Sequence, residues 1–204
     1  GLLALDARVV LHPYTTDQDD LPTPAIRPYP RQYIGTHTML NGEEVTVRPI
    51  RPEDEPKLVT FHERLSERSV YLRYASLMKL EQRVAHERLA RICFIDYDRE
   101  MALVAEDGNG KIIGVGRLTQ QPGRNEAEFA MLVIDEYQGE GVGTELLNRL
   151  LQVGKDEGLN RITADILQQN QAMQRVCEKL DFQIVRSDDP AEDMVKAVKP
   201  LDDV

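Results

Sequence analysis

Hydrophobic and polar positions follow two periods along this chain, and the change from one to the other marks its elements. Residues 129–134 (FAMLVI) form an unbroken apolar run of strand length. Glycines then recur at Gly139, Gly141 and Gly143, and from Thr144 the apolar positions Leu146, Leu147, Leu150, Leu151 and Val153 keep helical spacing until Gly158. Strand, glycine turn and helix follow one another there. Upstream, residues 36–40 and 44–50 flank Asn41-Gly42, which predicts a hairpin closed by a two-residue type I′ turn. Pro52 suits a first helical position, and Glu53, Asp54 and Glu55 suit the positive end of a helix burying Leu58, Phe61, His62 and Leu65. Ser66 is placed to cap the next turn, over residues 69–74. Leu80, Val84, Leu89 and Ile92 predict a further helix. Residues 101–105 and 111–119 enclose Asp107-Gly108-Asn109-Gly110 as a second hairpin. Beyond the glycine turn, residues 161–167 predict a strand. Residues 170–180 predict a helix with Met173, Val176, Cys177 and Leu180 inward, and 182–186 and 194–198 close the sheet. The fold class is mixed α/β.

The first thirty residues break this pattern. Residues 2–11 read as a strand belonging to something larger, so the chain is expected to be a fragment. Pro13, Pro22, Pro24, Pro28 and Pro30 follow, with acids at Asp17, Asp19 and Asp20 and no apolar period. Such a segment buries too little surface to offset its ordering entropy. The expected organisation is a remnant over 1–11, a linker over 12–38 and a domain over 39–204. A net charge of −10 and a pI near 4.9 argue against nucleic acid or an anionic membrane as partner, since both favour basic patches. No run of about 18 apolar residues suggests a membrane span. Cys93 and Cys177 form neither a CxxC pair nor a disulfide framework, which fits a reducing, cytoplasmic setting. The four histidines show no ligand spacing, so no metal site is expected.

The glycine turn carries the candidate chemistry. Glycines let a backbone approach a ligand without Cβ clashes, and the helix start adds unpaired N–H donors and positive potential. That combination suits a phosphate. A Walker A loop is excluded because Gly143 is followed by Thr144-Glu145, leaving no lysine for a β- or γ-phosphate. A dinucleotide fingerprint is excluded because Gly141-Val142-Gly143 runs on into Thr144, Glu145 and Leu146.

What remains, Gln138-x-x-Gly141-x-Gly143 after a strand, resembles the acyl-CoA pyrophosphate loop of the GNAT superfamily of N-acetyltransferases. The element order over residues 39–200 is similar to that fold. Three segments sharpen the likeness: residues 47–55 (VRPIRPEDE), Leu65-Ser66-Glu67-Arg68-Ser69 with Arg73-Tyr74, and residues 96–105 (DYDREMALVA). They resemble bacterial protein lysine acetyltransferases that modify acetyl-CoA synthetase and related acyl-CoA synthetases. Residues 3–10 resemble the last ATP-grasp strand of the NDP-forming acyl-CoA synthetase-like region that precedes many such domains. The resemblance implies a mostly antiparallel sheet flanked by helices, split in a V between two parallel strands that receives acetyl-CoA. It implies pantetheine pairing along Met131, Leu132 and Val133, and pyrophosphate on the amides of Gly139, Glu140, Gly141, Val142, Gly143 and Thr144. Gln138 is expected to fix the turn, and Asn170 to bond pantetheine or cap the following helix.

Transfer to lysine requires removal of a proton, because at a pKa of about 10.4 only about one amine in a thousand is neutral near pH 7.4. The resemblance assigns Glu128 as general base, with desolvation raising its proton affinity. Glu126 shares its face, farther from the turn. Cys177 stands where relatives often have a tyrosine that protonates the departing thiolate, and as a nucleophile it lacks a partner histidine. A small-amine acetyltransferase and a non-catalytic CoA sensor are the competing readings.

Overall fold

The computed structural model describes residues 11, 13, 15, 27–186 and 193–201. Its strands are β1 (Gly35–Thr38), β2 (Glu44–Pro49), β3 (Glu100–Glu106), β4 (Ile112–Gln120), β5 (Glu126–Val133), β6 (Arg161–Leu167), β7 (Gln183–Arg186) and β8 (Met194–Pro200). Its helices are α1 (Glu55–Glu63), α2 (Glu67–Tyr74), α3 (Leu80–Arg83), α4 (His86–Cys93), α5 (Val142–Asp156) and α6 (Gln171–Lys179). The strands form one sheet in the order β1-β2-β3-β4-β5-β6-β8-β7. Every neighbouring pair is antiparallel except β5 and β6. The mixed fold with a single parallel junction is the expected one.

Alternation along β5 sorts the layers. Phe129 and Met131 are buried, and Met131 and Val133 lie on the face where α5 crosses, at its Gly143. The apolar stripe of α5, Leu146, Leu147, Leu150 and Leu151, is buried along that face. The opposite face carries α1 and α2. There the side chain of Ser66 accepts the N–H of Ser69 and caps α2, as expected. Below it, the Arg48 guanidinium (5% exposed) grips Asp54 through two bonds of 2.6 and 2.7 Å and Glu106 through two of 2.8 Å. Burial alone would raise the proton affinity of Glu106, but Arg48 and Lys57 hold its pKa down to about 2. This brace ties β2 and β3 to the Pro52–Asp54 turn that opens α1.

Several expectations are corrected. The hairpin turn between β1 and β2 has three residues rather than two: Met39 N–H bonds Glu43 O, and Gly42 N–H bonds Met39 O. Gly42, at φ +88°, supplies the left-handed residue that such a turn needs before the second strand. Residues 80–92 form two short helices, α3 and α4, not one. The interval of five between Val84 and Leu89 falls out of helical phase, and a break at residues 84–85 restores it. The helix after the glycines starts at Val142, two residues early. The stretch expected as a linker ends in structure: Tyr33 is buried and its hydroxyl donates to Asp156 Oδ2 (3.0 Å), while β1 pairs along β2. The strand expected over 2–11 lies outside the described residues, apart from Leu11.

Candidate active site

Strands β5 and β6 pair only at Glu126 with Arg161, Ala127 with Ile162 and Glu128 with Thr163. Beyond that point β5 runs on to Val133 and β6 to Leu167 without meeting, and a cleft of about 340 Å³ opens between them. Hydrogen-bond parity decides what β5 presents to it. Gln121 N–H bonds Glu126 O and Ile134 N–H bonds Ile113 O, so on the antiparallel β4 side the even-numbered residues are spent. The N–H and C=O groups of Met131 and Val133 therefore point the other way, into the cleft. A ligand with amide groups of its own can pair with such an edge as a further strand would.

The far end is built by the glycine turn. Gln138 Nε2 donates to Val133 O (2.9 Å) and to Ser69 Oγ (3.0 Å). Ser69 Oγ in turn donates to Asp135 Oδ1 (2.9 Å), which also accepts from Ser66 Oγ (2.6 Å). This chain of bonds ties the cap of α2 to the turn through Gln138. Gly141, at φ +91°, redirects the backbone into α5, a conformation that costs other residues about 1–2 kcal/mol. The first intrahelical bond is Glu145 N–H to Gly141 O (3.0 Å), so the amides of Val142, Gly143 and Thr144 precede it. A turn of this kind at the start of a fifteen-residue helix suits a diphosphate.

Of the expected residues, Glu128, Met131, Leu132, Val133, Gln138, Gly139, Gly141, Gly143, Thr144 and Asn170 line the cleft. Two do not. The Val142 side chain is buried in the core, and Glu140 lies outside the wall with its carbonyl accepting Leu40 N–H (3.1 Å). Asn170 caps α6, its Oδ1 accepting Met173 N–H at 3.1 Å, and also faces the cleft, so the two alternatives are compatible. Glu128 stands at the apex, the last β5 residue paired with β6, and is exposed to the cleft. The protein alone does not supply the burial expected for it. Glu126 is bound to Arg161, which holds its carboxyl below the usual range.

Cys177 is fully buried and outside the cleft wall, and burial pushes its thiol up to about 12. It is placed neither as nucleophile nor as acid. Sequence reasoning named Arg73 only within a family segment and missed Tyr137, Arg175 and Lys179, and all four are on the wall. The last two had a legible signal, since they follow Ala172 at helical intervals. Among the described residues, no group of three or more His, Cys, Asp or Glu side chains is placed to hold a metal ion, and no helix is long and apolar enough to cross a membrane.

Residues 44–183 match the acetyltransferase (GNAT) domain family. The chain belongs to the GNAT acetyltransferases. It is an acetyl-CoA-dependent N-acetyltransferase, and the amide-lined cleft with its glycine turn fits that cosubstrate. The GNAT chain is 30% identical over 145 residues to Acetyltransferase PA5475 of Pseudomonas aeruginosa, covering 70% of this chain and 76% of that protein. It is 29% identical over 150 residues to Acetyltransferase Pat of Mycolicibacterium smegmatis, covering 72% of this chain and 44% of Pat. Among solved structures, the GNAT domain of S. lividans PAT superposes with a TM-score of 0.76 at 28% identity, covering 85% of this chain and all of that one. Mycobacterium smegmatis RimJ in complex with CoA-disulfide shares the fold, at a TM-score of 0.65, 17% identity and coverage of 82% and 86%.

Proposed function

We propose that this domain acetylates the ε-amine of lysine in a protein acceptor, of which acyl-CoA synthetases are the class, with Glu128 as general base. The observation that carries this is the position of Glu128: an exposed carboxylate at the apex where β5 and β6 part, on the strand whose cleft-facing amides lead to the glycine turn. Acetyl-CoA supplies the acetyl group activated as a thioester. The Met131 and Val133 backbone holds pantetheine, and the amides from Gly139 to Thr144 hold the diphosphate. Each charge-assisted bond contributes about 1.5–3 kcal/mol. One of the two amides of Met131 and Val133 polarises the acyl oxygen. Glu128 accepts the proton that the lysine ammonium must lose, directly or through one water, which makes the amine a nucleophile for the acyl carbon. With Cys177 buried, the wall offers no cysteine to protonate the leaving thiolate, and water takes that role.

The likeness to proteins named Pat supports a protein acceptor. The same reading takes residues 3–10 as the end of a preceding acyl-CoA synthetase-like region, and two cysteines without a disulfide support a reducing, cytoplasmic setting. Mass spectrometry of an acyl-CoA synthetase treated with acetyl-CoA and either the wild-type domain or Glu128→Gln tests it. Acetyl-lysine is expected with the wild type and a loss of about 10²–10⁴ in rate with the variant. Equal modification by both removes Glu128 from the chemistry. Turnover of free amines with no modified protein replaces the acceptor class.

A further inference from the structure

Arg73, in the last turn of α2, lines the cleft on the side of Glu128. Its guanidinium lies 5.0 Å from the centroid of the Tyr74 ring, and that of Arg88 lies 5.3 Å from the same ring. Neither forms an ion pair with a described carboxylate, and Arg88 Nε is buried with no hydrogen-bond partner among the described residues. Neighbouring arginines are served differently. Arg117 pairs with Glu100 (3.2 Å) and donates to Ile92 O (2.9 Å), and Arg83 donates to His62 O (2.8 Å). Burial weakens the hold of Arg73 on its proton, and the like charges of Arg117 and Arg88 add to that, while Tyr74 and Glu128 oppose it.

In a chain of net charge −10 a carboxylate is the commonest available partner, yet none reaches this guanidinium. A partly desolvated cation with unspent donors is costly unless an anion arrives from outside. The anion is not the coenzyme diphosphate. The amides from Gly139 to Thr144 already serve that diphosphate as donors, whereas the Arg73 guanidinium feels the charge of Glu128. What reaches Arg73 is the acceptor. A planar guanidinium fork matches a carboxylate bidentately. A carboxylate there also offsets the repulsion between Arg73 and an incoming ammonium.

We infer that Arg73 selects acceptors that carry a carboxylate beside the amine to be acetylated, an aspartate or glutamate flanking the lysine in a protein chain. The inference rests on the Glu128 end of the cleft being the acceptor mouth. Two peptides identical except for Glu or Gln on either side of a single lysine test it, each incubated with acetyl-CoA and enzyme. The Glu peptide is expected to show kcat/KM higher by about tenfold or more, mainly through KM. In Arg73→Gln the ratio falls towards one. Arg73→Lys, which keeps the charge but not the fork, retains part of it, separating lost recognition from lost folding. Equal rates on both peptides with the wild type, or an unchanged ratio in Arg73→Gln, overturn the inference and leave the proposed function standing. Acetylation of neither peptide, with turnover of free amines, overturns both.

Discussion

His62 lies in α1 with 4% of its surface exposed, and its Nδ1 has no hydrogen-bond partner among the described residues. Burial, reinforced by the charges of Arg83 and Arg88, lowers its pKa to about 4. The unfolded chain titrates the same imidazole near 6.5. Between those values the unfolded state binds a proton that the folded state refuses. The stability tied to the neutral ring is therefore complete above about pH 6.5 and is lost as pH falls towards 4. Integrated from pH 7 to pH 5, the loss is about 2 kcal/mol. Urea denaturation at the two pH values measures it. The wild type is expected to weaken by about that much more than His62→Leu. His86, exposed and raised by Glu55, works in the opposite sense and is common to both proteins. Parallel losses in wild type and variant exclude His62 as the titrating group.

At the level of elements, α5 depends on one close approach. A Cβ at Gly154 would lie 2.6 Å from Ile162 Cδ1 and 2.9 Å from Leu201 Cδ1, both on buried side chains. Gly154→Ala gains about 1 kcal/mol of helix propensity but overpacks this contact at about 1–3 kcal/mol. The expected result is a thermal midpoint lower by a few degrees, and a raised midpoint contradicts the packing described. Elements whose signal is local were legible in the sequence. The α5 stripe, the Ser66 cap and the bounds of β6 all follow from spacing or a single polar residue. Elements set by distant contacts were not. The helix expected over 80–92 splits where the phase slips. Strand β5 begins at Glu126, three residues before the apolar run, because its charged start is stabilised by pairing with β4 and β6. Arg73 was named only within a family segment and not as a site residue, because nothing near it in sequence indicates that α2 packs beside the end of β5. The glycine turn was legible because it lies on one continuous stretch, and Glu128 was singled out just before it by the resemblance alone.

The whole molecule is two sheet halves, β1 to β5 and β6 to β8, joined within the sheet by the three pairs from Glu126 to Glu128. A ligand lying along β5 in the split closes part of the gap, so cosubstrate binding and cohesion of the halves are coupled. At a hundredfold excess over the dissociation constant, binding adds about 2.7 kcal/mol to stability. Parity makes the coupling visible residue by residue. The amides of Ala130 and Leu132 are directed to β4, whereas those of Met131 and Val133 face the cleft. Amide exchange followed by NMR should find Met131 and Val133 exchanging faster than their even-numbered neighbours without CoA. Saturating CoA should slow chiefly those two. Heat of binding by calorimetry with unchanged exchange at Met131 would mean that the ligand is held by the glycine turn alone. The backbone edge would then have no part in placing the thioester beside Glu128. Slowing confined to the odd positions requires the opposite: an amide-bearing ligand taking the place of the strand that β6 ceases to provide after Thr163.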